Sequence, residues 1–487
     1  MSSKKQRSGK SKGPRQGISG NPQRRAEQIA QRRAAGADGA DSSPLVMDFR
    51  SQQSPFQELA RALAGGANPA PWWGESHERI IAAARALTWP ADLIDLETQA
   101  CRIVGDEFYE RLNSAVTGLQ PSQWLRALAE ETAAALRADI GADAGSWQQL
   151  WALLYGLALT VPPGDAESET GRLARERFPD IKDPYETTIA EAGLAAKLLA
   201  DRGLAVGIDN PADGCRPAGE PLVARDAYGS RFLLVAPFSY GQDRDQQQPD
   251  HWYAWDIDWC WIDVVVSAGV FGSAEEALRE WRDAVGDVAS GATLSPSPPG
   301  TTARLLAPCL QTGSLSDLLQ GSEPRELIRE YYRLRRRARD LVGAIGAPDA
   351  HADAAPFDTD PVLEAFLGWY AAQSDDAPAV APEDAGTILQ EWGPREPLDE
   401  RLFYACSPHR IEMTARLIRD SYRADYANAA LPLLPQWTEW CIERGELTGD
   451  LAARSRGAAL TEAAALADEE TGERDAERDD APFRRQE

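Results

Sequence analysis

The chain has 487 residues, of which 43% are apolar, and a formal net charge of −25. A chain of this length exceeds one ordinary hydrophobic core, so we expect two or three domains. The acidic balance excludes a protein that binds nucleic acid over its whole surface, because such a body repels phosphate. Any contact with nucleic acid would be confined to a local basic segment.

The cysteines and the N-terminus bear on the cellular compartment. Six cysteines are scattered without a C-x-x-C spacing, and no apolar segment follows the basic N-terminus as in a secretion signal. The best candidate for a membrane span, Ala144–Gly164, contains two glutamines and two prolines, which favours a buried helix. These features predict a cytoplasmic protein with reduced thiols and no membrane contact.

The two ends of the chain carry opposite charge. Residues 1–35 hold ten Lys or Arg and one acid, Glu27, so the rest of the chain carries −34. Residues 1–42 have too little apolar surface to bury a core, which predicts a disordered basic tail. Residues 468–487 are predicted to form a disordered acidic tail. The basic arm could contact nucleic acid or an acidic protein surface.

Helical patterns flank one short β-rich region. Residues 52–165 are predicted to form a helical block, and a further helix over Pro184–Asp201 opens a central α+β module, 184–289. Strands are predicted at Pro221–Arg225, Arg231–Tyr240 and His251–Val266, with Leu204–Ile208 as a fourth candidate. The module is therefore predicted to contain a three- to four-stranded antiparallel sheet.

A helix after the strands is predicted by its capping box. Ser273 is placed to accept from the backbone three residues on, Glu276 is placed to reach back, and Gly286 ends the helix. Its apolar face, which we expect to lie on the sheet, consists of Ala277, Leu278, Trp281 and Val285.

The region resembles a known strand–strand–helix unit. Asp226–Phe238 followed by Gly269–Val285 is similar to that unit in HicB-type antitoxins, with a charged turn, an apolar strand and a Ser-Ala-Glu-Glu-Ala-Leu helix start. The insert Gly241–Asp250 and the Trp-rich third strand depart from the family pattern.

The second half of the chain is predicted to be helical. The composition of residues 290–302 predicts a linker. Residues 322–346 are predicted to form an Arg-rich amphipathic helix, and residues 360–467 are predicted to form a helical C-terminal domain. The Arg-rich helix has an apolar seam at heptad spacing. That seam consists of Leu327, Tyr331, Leu334, Ala338, Leu341 and Ile345. The predicted fold is thus mainly α with one small α+β module.

Two carboxylates in the third predicted strand are the candidates for catalysis. Alternation puts Asp256 and Asp258 on one face, where an Asp-x-Asp pair could hold a divalent cation or divide acid and base roles. The alternative is that they keep the solvent side of a one-sided sheet polar. His251 and Glu220 could approach the pair in space. No Cys/His cluster has metal-ligand spacing, so we predict no metal and no cofactor.

The opposite strand face carries Trp255, Trp259 and Trp261. Aromatic residues at period two usually form core, here under the helix that begins after Ser273. The alternative is a groove that stacks a base, a sugar or a side chain of a partner.

The Arg-rich helix carries the candidate residues for an anionic partner. Arg333, Arg335, Arg336, Arg337 and Arg339 are predicted on its outer face, either paired with the protein's own carboxylates or bound to phosphate or an acidic protein. We therefore predict a non-enzymatic interaction or regulatory protein with an unknown protein or nucleic-acid partner. The alternative is a metal-dependent hydrolase or transferase using Asp256 and Asp258. The oligomeric state is left open.

Overall fold

The computed structural model describes residues 72–113, 121–142, 144–161, 184–204, 215–240, 249–260, 264–310, 324–346, 360–373, 380–392, 400–422 and 424–469. The predicted basic tail and nearly all of the predicted acidic tail lie outside these residues, as do residues 205–208 of the fourth candidate strand. The described residues are mainly helical with one antiparallel sheet, as the sequence predicts.

Among the described residues, five helices share one hydrophobic core on the N-terminal side of the sheet: four from the predicted helical block and the helix predicted to open the central module. They are α1 (Trp72–Arg85), α2 (Leu93–Asn113), α3 (Pro121–Gly141), α4 (Trp147–Thr160) and α5 (Pro184–Asp201). Helix α4 is apolar on all sides and is buried from Leu150 to Thr160. A helix without a polar face must lie inside the core, and α4 packs against α1, α2, α3 and α5.

Within the described residues the central sheet has six strands, two more than the upper predicted number. They are β1 (Cys215–Pro217), β2 (Leu222–Arg225), β3 (Arg231–Tyr240), β4 (His251–Asp258), β5 (Val264–Phe271) and β6 (Ser295–Pro296). The order is β5-β4-β3-β2-β6, and β1 pairs with β3 beside β2. Every pairing is antiparallel. The two additional strands, β1 and β6, have three and two residues and carry no alternating pattern of their own.

The third predicted strand is in fact a hairpin. The sequence predicts one strand over His251–Val266, whereas β4 ends at Asp258 and β5 begins at Val264. The Asp258 carboxylate accepts the Cys260 N–H at 2.8 Å, an Asx-type contact that mimics a backbone turn. Continuous β-propensity on both sides conceals this reversal.

Both faces of the sheet are covered. Helix α6 (Ala274–Val285) lies on one face through Ala277, Leu278 and Trp281, as predicted. Ser273 Oγ accepts the Glu276 N–H at 3.1 Å, and Glu276 accepts the Gly272 N–H at 2.9 Å. The other face carries the aromatic residues of β4 and packs against the N-terminal helices and α8.

Helices α7 (Pro299–Leu310) and α8 (Pro324–Ile345) complete that layer. The apolar seam of α8 is buried from Leu327 to Leu341, and it is covered by α2, α7 and the sheet. The sequence predicts a linker over 290–302. This prediction is wrong in part, because the stretch contributes β6 and the first turn of α7.

The C-terminal helices form a second core of their own around Trp437 and Trp440. They are α9 (Asp360–Ala371), α10 (Pro382–Trp392), α11 (Glu400–Tyr404), α12 (Pro408–Ser421), α13 (Ala424–Ala430), α14 (Leu434–Arg444) and α15 (Gly449–Glu469). None of the helices in the described ranges has the length and apolar character needed to cross a membrane.

Candidate functional site

Asp256 is a structural anchor between the sheet and α6. Its oxygens accept hydrogen bonds from Arg231 Nε at 2.9 Å, Arg231 Nη2 at 2.6 Å and Trp281 Nε1 at 2.9 Å. Only 4% of the residue is exposed. The expectation that it lies on a solvated face is therefore wrong, because α6 covers that face. Both carboxylate oxygens of Asp256 already accept hydrogen bonds from a guanidinium and an indole, so few lone pairs remain to bind a cation.

Asp258 has a different environment from Asp256. It holds the Cys260 N–H, and its second oxygen lies 3.7 Å from His409 Nε2 at the start of α12. Nowhere in the described part of the chain do three or more His, Cys, Asp or Glu side chains gather as a metal site would require. His251 does not approach the pair, because it lies on the opposite face of β4 beside Phe238.

The aromatic side chains of β4 belong to the core. Trp255 is fully buried and donates from Nε1 to the Leu334 carbonyl of α8 at 3.3 Å. Trp259, which follows β4, is 3% exposed. The core interpretation is confirmed for these two residues, but the covering helix is α8 and not α6. Trp261 lies outside the described residues.

The arginines of α8 mostly face α2 rather than solvent. Arg333 and Arg337 are 2% and 0% exposed, so the expectation of an outward face is wrong for both. Arg337 Nη2 donates to both oxygens of Glu97, at 2.7 and 2.6 Å, and Glu97 is itself fully buried. Arg333 pairs with Glu330 and donates to Thr98 Oγ1 at 3.0 Å. Glu97, more than 200 residues away in the sequence, faces both guanidinium groups, so the pattern of α8 alone cannot reveal their burial.

The remaining arginines of α8 also have internal contacts. Arg336 bonds Asp340 at 2.8 Å and the Val161 carbonyl at 3.0 Å, and Arg335 donates to Tyr331 Oη at 2.6 Å. Arg339 is half-buried. Nearer the start of the helix, Arg325 and Arg329 both bond Asp106. Burial would raise the pKa of Asp106, but these two hydrogen bonds outweigh it and hold the pKa below its usual value.

His251 lies in a buried aromatic layer that sequence reasoning did not identify. Its ring is 5.9 Å from that of Phe238 and 5.3 Å from that of Tyr240, and its Nε2 is 3.8 Å from Cys215 Sγ. Burial, with the positive charges of Arg337 and Arg333, lowers the pKa of His251 to about 3. The imidazole therefore stays neutral at physiological pH and is not a ready proton acceptor.

The cysteines show the same buried character. All six are free and buried, as the sequence predicts. Burial raises the pKa of Cys101, Cys309 and Cys406 to about 12, which keeps these thiols protonated and poorly nucleophilic.

A shallow cleft of about 410 Å³ lies beside β2 and α7. Most of the residues that line it have small side chains, three of them carry a hydroxyl group, and Arg225 is the one charged residue among them. The lining residues are Val223, Ala224, Arg225, Phe232, Gly291, Ala292, Thr293, Ser295 and Thr301. This set lacks the carboxylates, imidazoles and thiols on which acid–base or nucleophilic catalysis rests.

The edge of the sheet beside this cleft is protected against pairing. Strand β6 has only two residues, and the Ser297 N–H donates to the Pro221 carbonyl at 2.9 Å, in register with the pair Val223 and Ser295. Ser295 and Ser297 therefore face β2, and alternation turns the Pro296 nitrogen outward. Because proline has no N–H, this short edge has no outward-facing backbone donor at Pro296 with which an incoming strand could form a hydrogen bond.

The opposite edge of the sheet, β5, is longer, and its own residues do not include a proline or a charge. Its eight residues are Val-Val-Val-Ser-Ala-Gly-Val-Phe. The N–H of Trp259 donates to the Ser230 carbonyl in register with the β3–β4 ladder, so the even-numbered residues of β4 bond β5. Their partners, Ser267, Gly269 and Phe271, face β4.

It follows that Ala268 and Val270 direct their N–H and C=O groups away from the sheet. Both residues are partly exposed, and within the described ranges no hydrogen-bond partner is found for these groups. A register shift between Asp256 and Ile257 accommodates Val266 as a bulge at one end of the strand. The outward row at Ala268 and Val270 is the candidate functional site.

Comparison with known proteins gives no relative for this chain. No family model matches it, and neither do the curated proteins or the solved structures with which it was compared.

Proposed function

We propose that this chain is a non-enzymatic interaction protein that binds an extended segment of a partner protein by strand addition to β5. The observation that carries the proposal is the outward row of backbone groups at Ala268 and Val270 on an uncharged edge of eight residues. In strand addition the main-chain hydrogen bonds supply affinity and the alternate side chains supply selectivity.

The contrast between the two edges supports this function. Natural sheets protect exposed edges with short strands, proline, charges or bulges, because an open edge is a template for another strand. Here β6 is short and carries Pro296, whereas β5 is long and, within the part of the chain that the structure describes, is protected by the bulge at Val266 alone. Both faces of β5 contact helices, α8 and α7 on one side and α6 on the other, so the strand is held rigidly. A rigid edge costs less conformational entropy on binding.

The candidate catalytic residues favour this function over the enzyme alternative. Asp256 is bonded to Arg231 and Trp281, and His251 is buried on the other face of the strand. The basic N-terminal arm lies outside the described residues, so its contact with nucleic acid or an acidic protein stays a prediction. Strand addition does not depend on that arm.

The test uses a blocked peptide, acetyl-Val-Gln-Val-Gln-Val-Gln-amide with a fluorescent label, and the full chain. We expect saturable binding by fluorescence anisotropy. Ala268→Pro removes an N–H that faces outward, so it abolishes binding while the internal β4–β5 bonds remain. The matched control, Ala268→Ser, keeps the N–H and should keep the affinity. Equal binding by the wild type and a folded Ala268→Pro variant would exclude β5 as the docking site.

A further inference from the structure

We infer that the segment docked on β5 carries Lys or Arg at alternate positions on the side that faces α6. This inference rests on the proposed function, because it concerns the chemistry of the partner at the same edge. The evidence comes from the orientation of α6, whose charged residues are distributed unevenly between the two edges of the sheet.

The contacts of two side chains of α6 show how the helix is oriented over the sheet. Trp281 points down at the sheet, since its Nε1 donates to Asp256 of β4. Arg282 points sideways toward the β2–β6 edge, since its Nη2 donates to the carbonyl of Ala292, which lines the cleft there. Successive helical residues are rotated by about 100°, so residue 280 points to the side opposite Arg282.

Glu280 therefore points over the β5 edge, and it is exposed. Glu276 lies one turn earlier on nearly the same side, where its carboxylate also holds the Gly272 N–H after β5. The exposed strand residue beneath them, Ser267, is uncharged and faces α6, as its contact with Asp256 at 3.5 Å indicates. An added strand would thus place its α6-side side chains beside Glu280, and β5 itself has no base there. Glu276 is already opposed by Arg279 of the same helix at 4.0 Å, so the attraction for a cation rests on Glu280.

Charge complementarity selects the partner. A cation opposite Glu280 would form a partly exposed pair, and pairs of this kind contribute modestly, whereas a carboxylate in that position would be repelled. The side chains on the other face of the added strand would meet the apolar layer of α7 and α8, which favours β-branched residues there. The occupant is therefore an extended basic–apolar segment of a partner protein.

The experiment compares three blocked peptides, (Val-Gln)3, (Val-Lys)3 and (Val-Glu)3, by anisotropy with the full chain. We expect (Val-Lys)3 to bind about fivefold more tightly than (Val-Gln)3 and (Val-Glu)3 to bind more weakly. Glu280→Lys should reverse that order. High salt should reduce the difference, because it screens exposed charges.

The chain is strongly acidic, so it attracts any basic peptide at long range, and a matched control is needed. Asp283 is exposed on the same helix but is rotated by about 200° from Trp281, away from the sheet. Asp283→Lys changes the net charge as Glu280→Lys does and should leave the order of the three peptides unchanged. Equal effects of the two variants would overturn the inference.

Other outcomes separate this inference from the proposed function. If all three peptides bind equally and Ala268→Pro abolishes the binding, the charge preference is wrong and strand addition stands. If none of them binds, strand addition of a partner segment is wrong. If sedimentation shows a dimer that Ala268→Pro dissociates, a second copy of the chain occupies the edge, and both are overturned.

Discussion

The side chains of Arg337 and Glu97 illustrate how a residue predicted for the surface can support the interior. The guanidinium stacks over Phe238 at 5.2 Å and pairs with a carboxylate that is equally buried. Such a pair adds little to stability over an apolar pair, yet breaking it is costly because one charge is left without a partner in a dry site.

We predict that Arg337→Gln lowers the free energy of unfolding by about 3–5 kcal/mol. The control Arg325→Gln alters an exposed pair with Asp106 and should cost less than about 1 kcal/mol. Urea unfolding measures both. The double variant Glu97→Leu with Arg337→Met should lose less free energy of unfolding than Arg337→Met alone, because it leaves no buried charge without a partner. Similar losses for Arg337→Gln and Arg325→Gln would contradict the buried-pair account.

His251 predicts a pH dependence of stability. Its pKa is lowered to about 3 in the folded protein from 6.5, so below pH 6.5 the unfolded chain binds a proton that the folded chain does not. The contribution of His251 to stability is complete above pH 6.5 and is lost as the pH falls toward 3. At pH 5 the loss is about 2 kcal/mol.

His251→Phe keeps a ring between Phe238 and Tyr240 but cannot titrate. We expect the variant to lose about 2 kcal/mol less than the wild type between pH 7 and pH 5, as measured by urea unfolding at each pH. If the two proteins lose the same free energy over this range, another group causes the acid sensitivity.

At the scale of elements, α8 is the central support of the fold and not a surface helix. It packs along α2, lies against α7 and covers the aromatic face of the sheet. The backbones of α8 and α2 approach each other closely at Gly105, where a Cβ would lie 2.3 Å from the Arg329 Cα. Because this neighbour is backbone, no side-chain rotation can relieve the contact.

We predict that Gly105→Ala separates the two helices and lowers the free energy of unfolding by about 1–3 kcal/mol. Gly343→Ala is the matched control, because it lies in α8 with nothing within 4 Å of the added methyl group. This control should stabilise by up to about 1 kcal/mol, since alanine is the better helix former. Thermal unfolding of the two variants should therefore shift in opposite directions. A shift in the same direction would mean that the helices tolerate the methyl group.

At the scale of the whole molecule, two cores meet near the end of β4. The C-terminal helices have their own core, yet Leu402 and Ala405 belong to the core of the sheet and the N-terminal helices. Arg410 stabilises this junction without a carboxylate. It is fully buried and donates to the carbonyls of Trp392, Leu402 and Ala405 at 2.7–2.9 Å.

We predict that Arg410→Met destabilises the C-terminal helices by at least about 3 kcal/mol, because three buried carbonyls lose their donor. Hydrogen exchange should quicken in α10–α12 and stay nearly unchanged in α2 and α8. Arg416→Met, on the exposed side of α12, is the control and should have little effect. Equal quickening in α2 would indicate that the two cores unfold as one unit.

Local patterns determined a large part of this structure. The bounds of α5 and β3, the cap at Ser273 and the buried seam of α8 all follow from periods and caps that act within a few residues. These features need no knowledge of the rest of the chain, and the mainly helical class with one small sheet follows from them.

Long-range contacts decided the remainder. The sequence of α8 does not reveal that Glu97 will meet Arg337, nor does the alternation of β4 show that α6 will cover Asp256 and α8 will cover Trp255. The reversal at Asp258, which makes β5 an edge strand, is equally hidden, because its β-propensity continues on both sides. Burial and edge position are properties of the assembled chain, so only the tertiary structure could establish them.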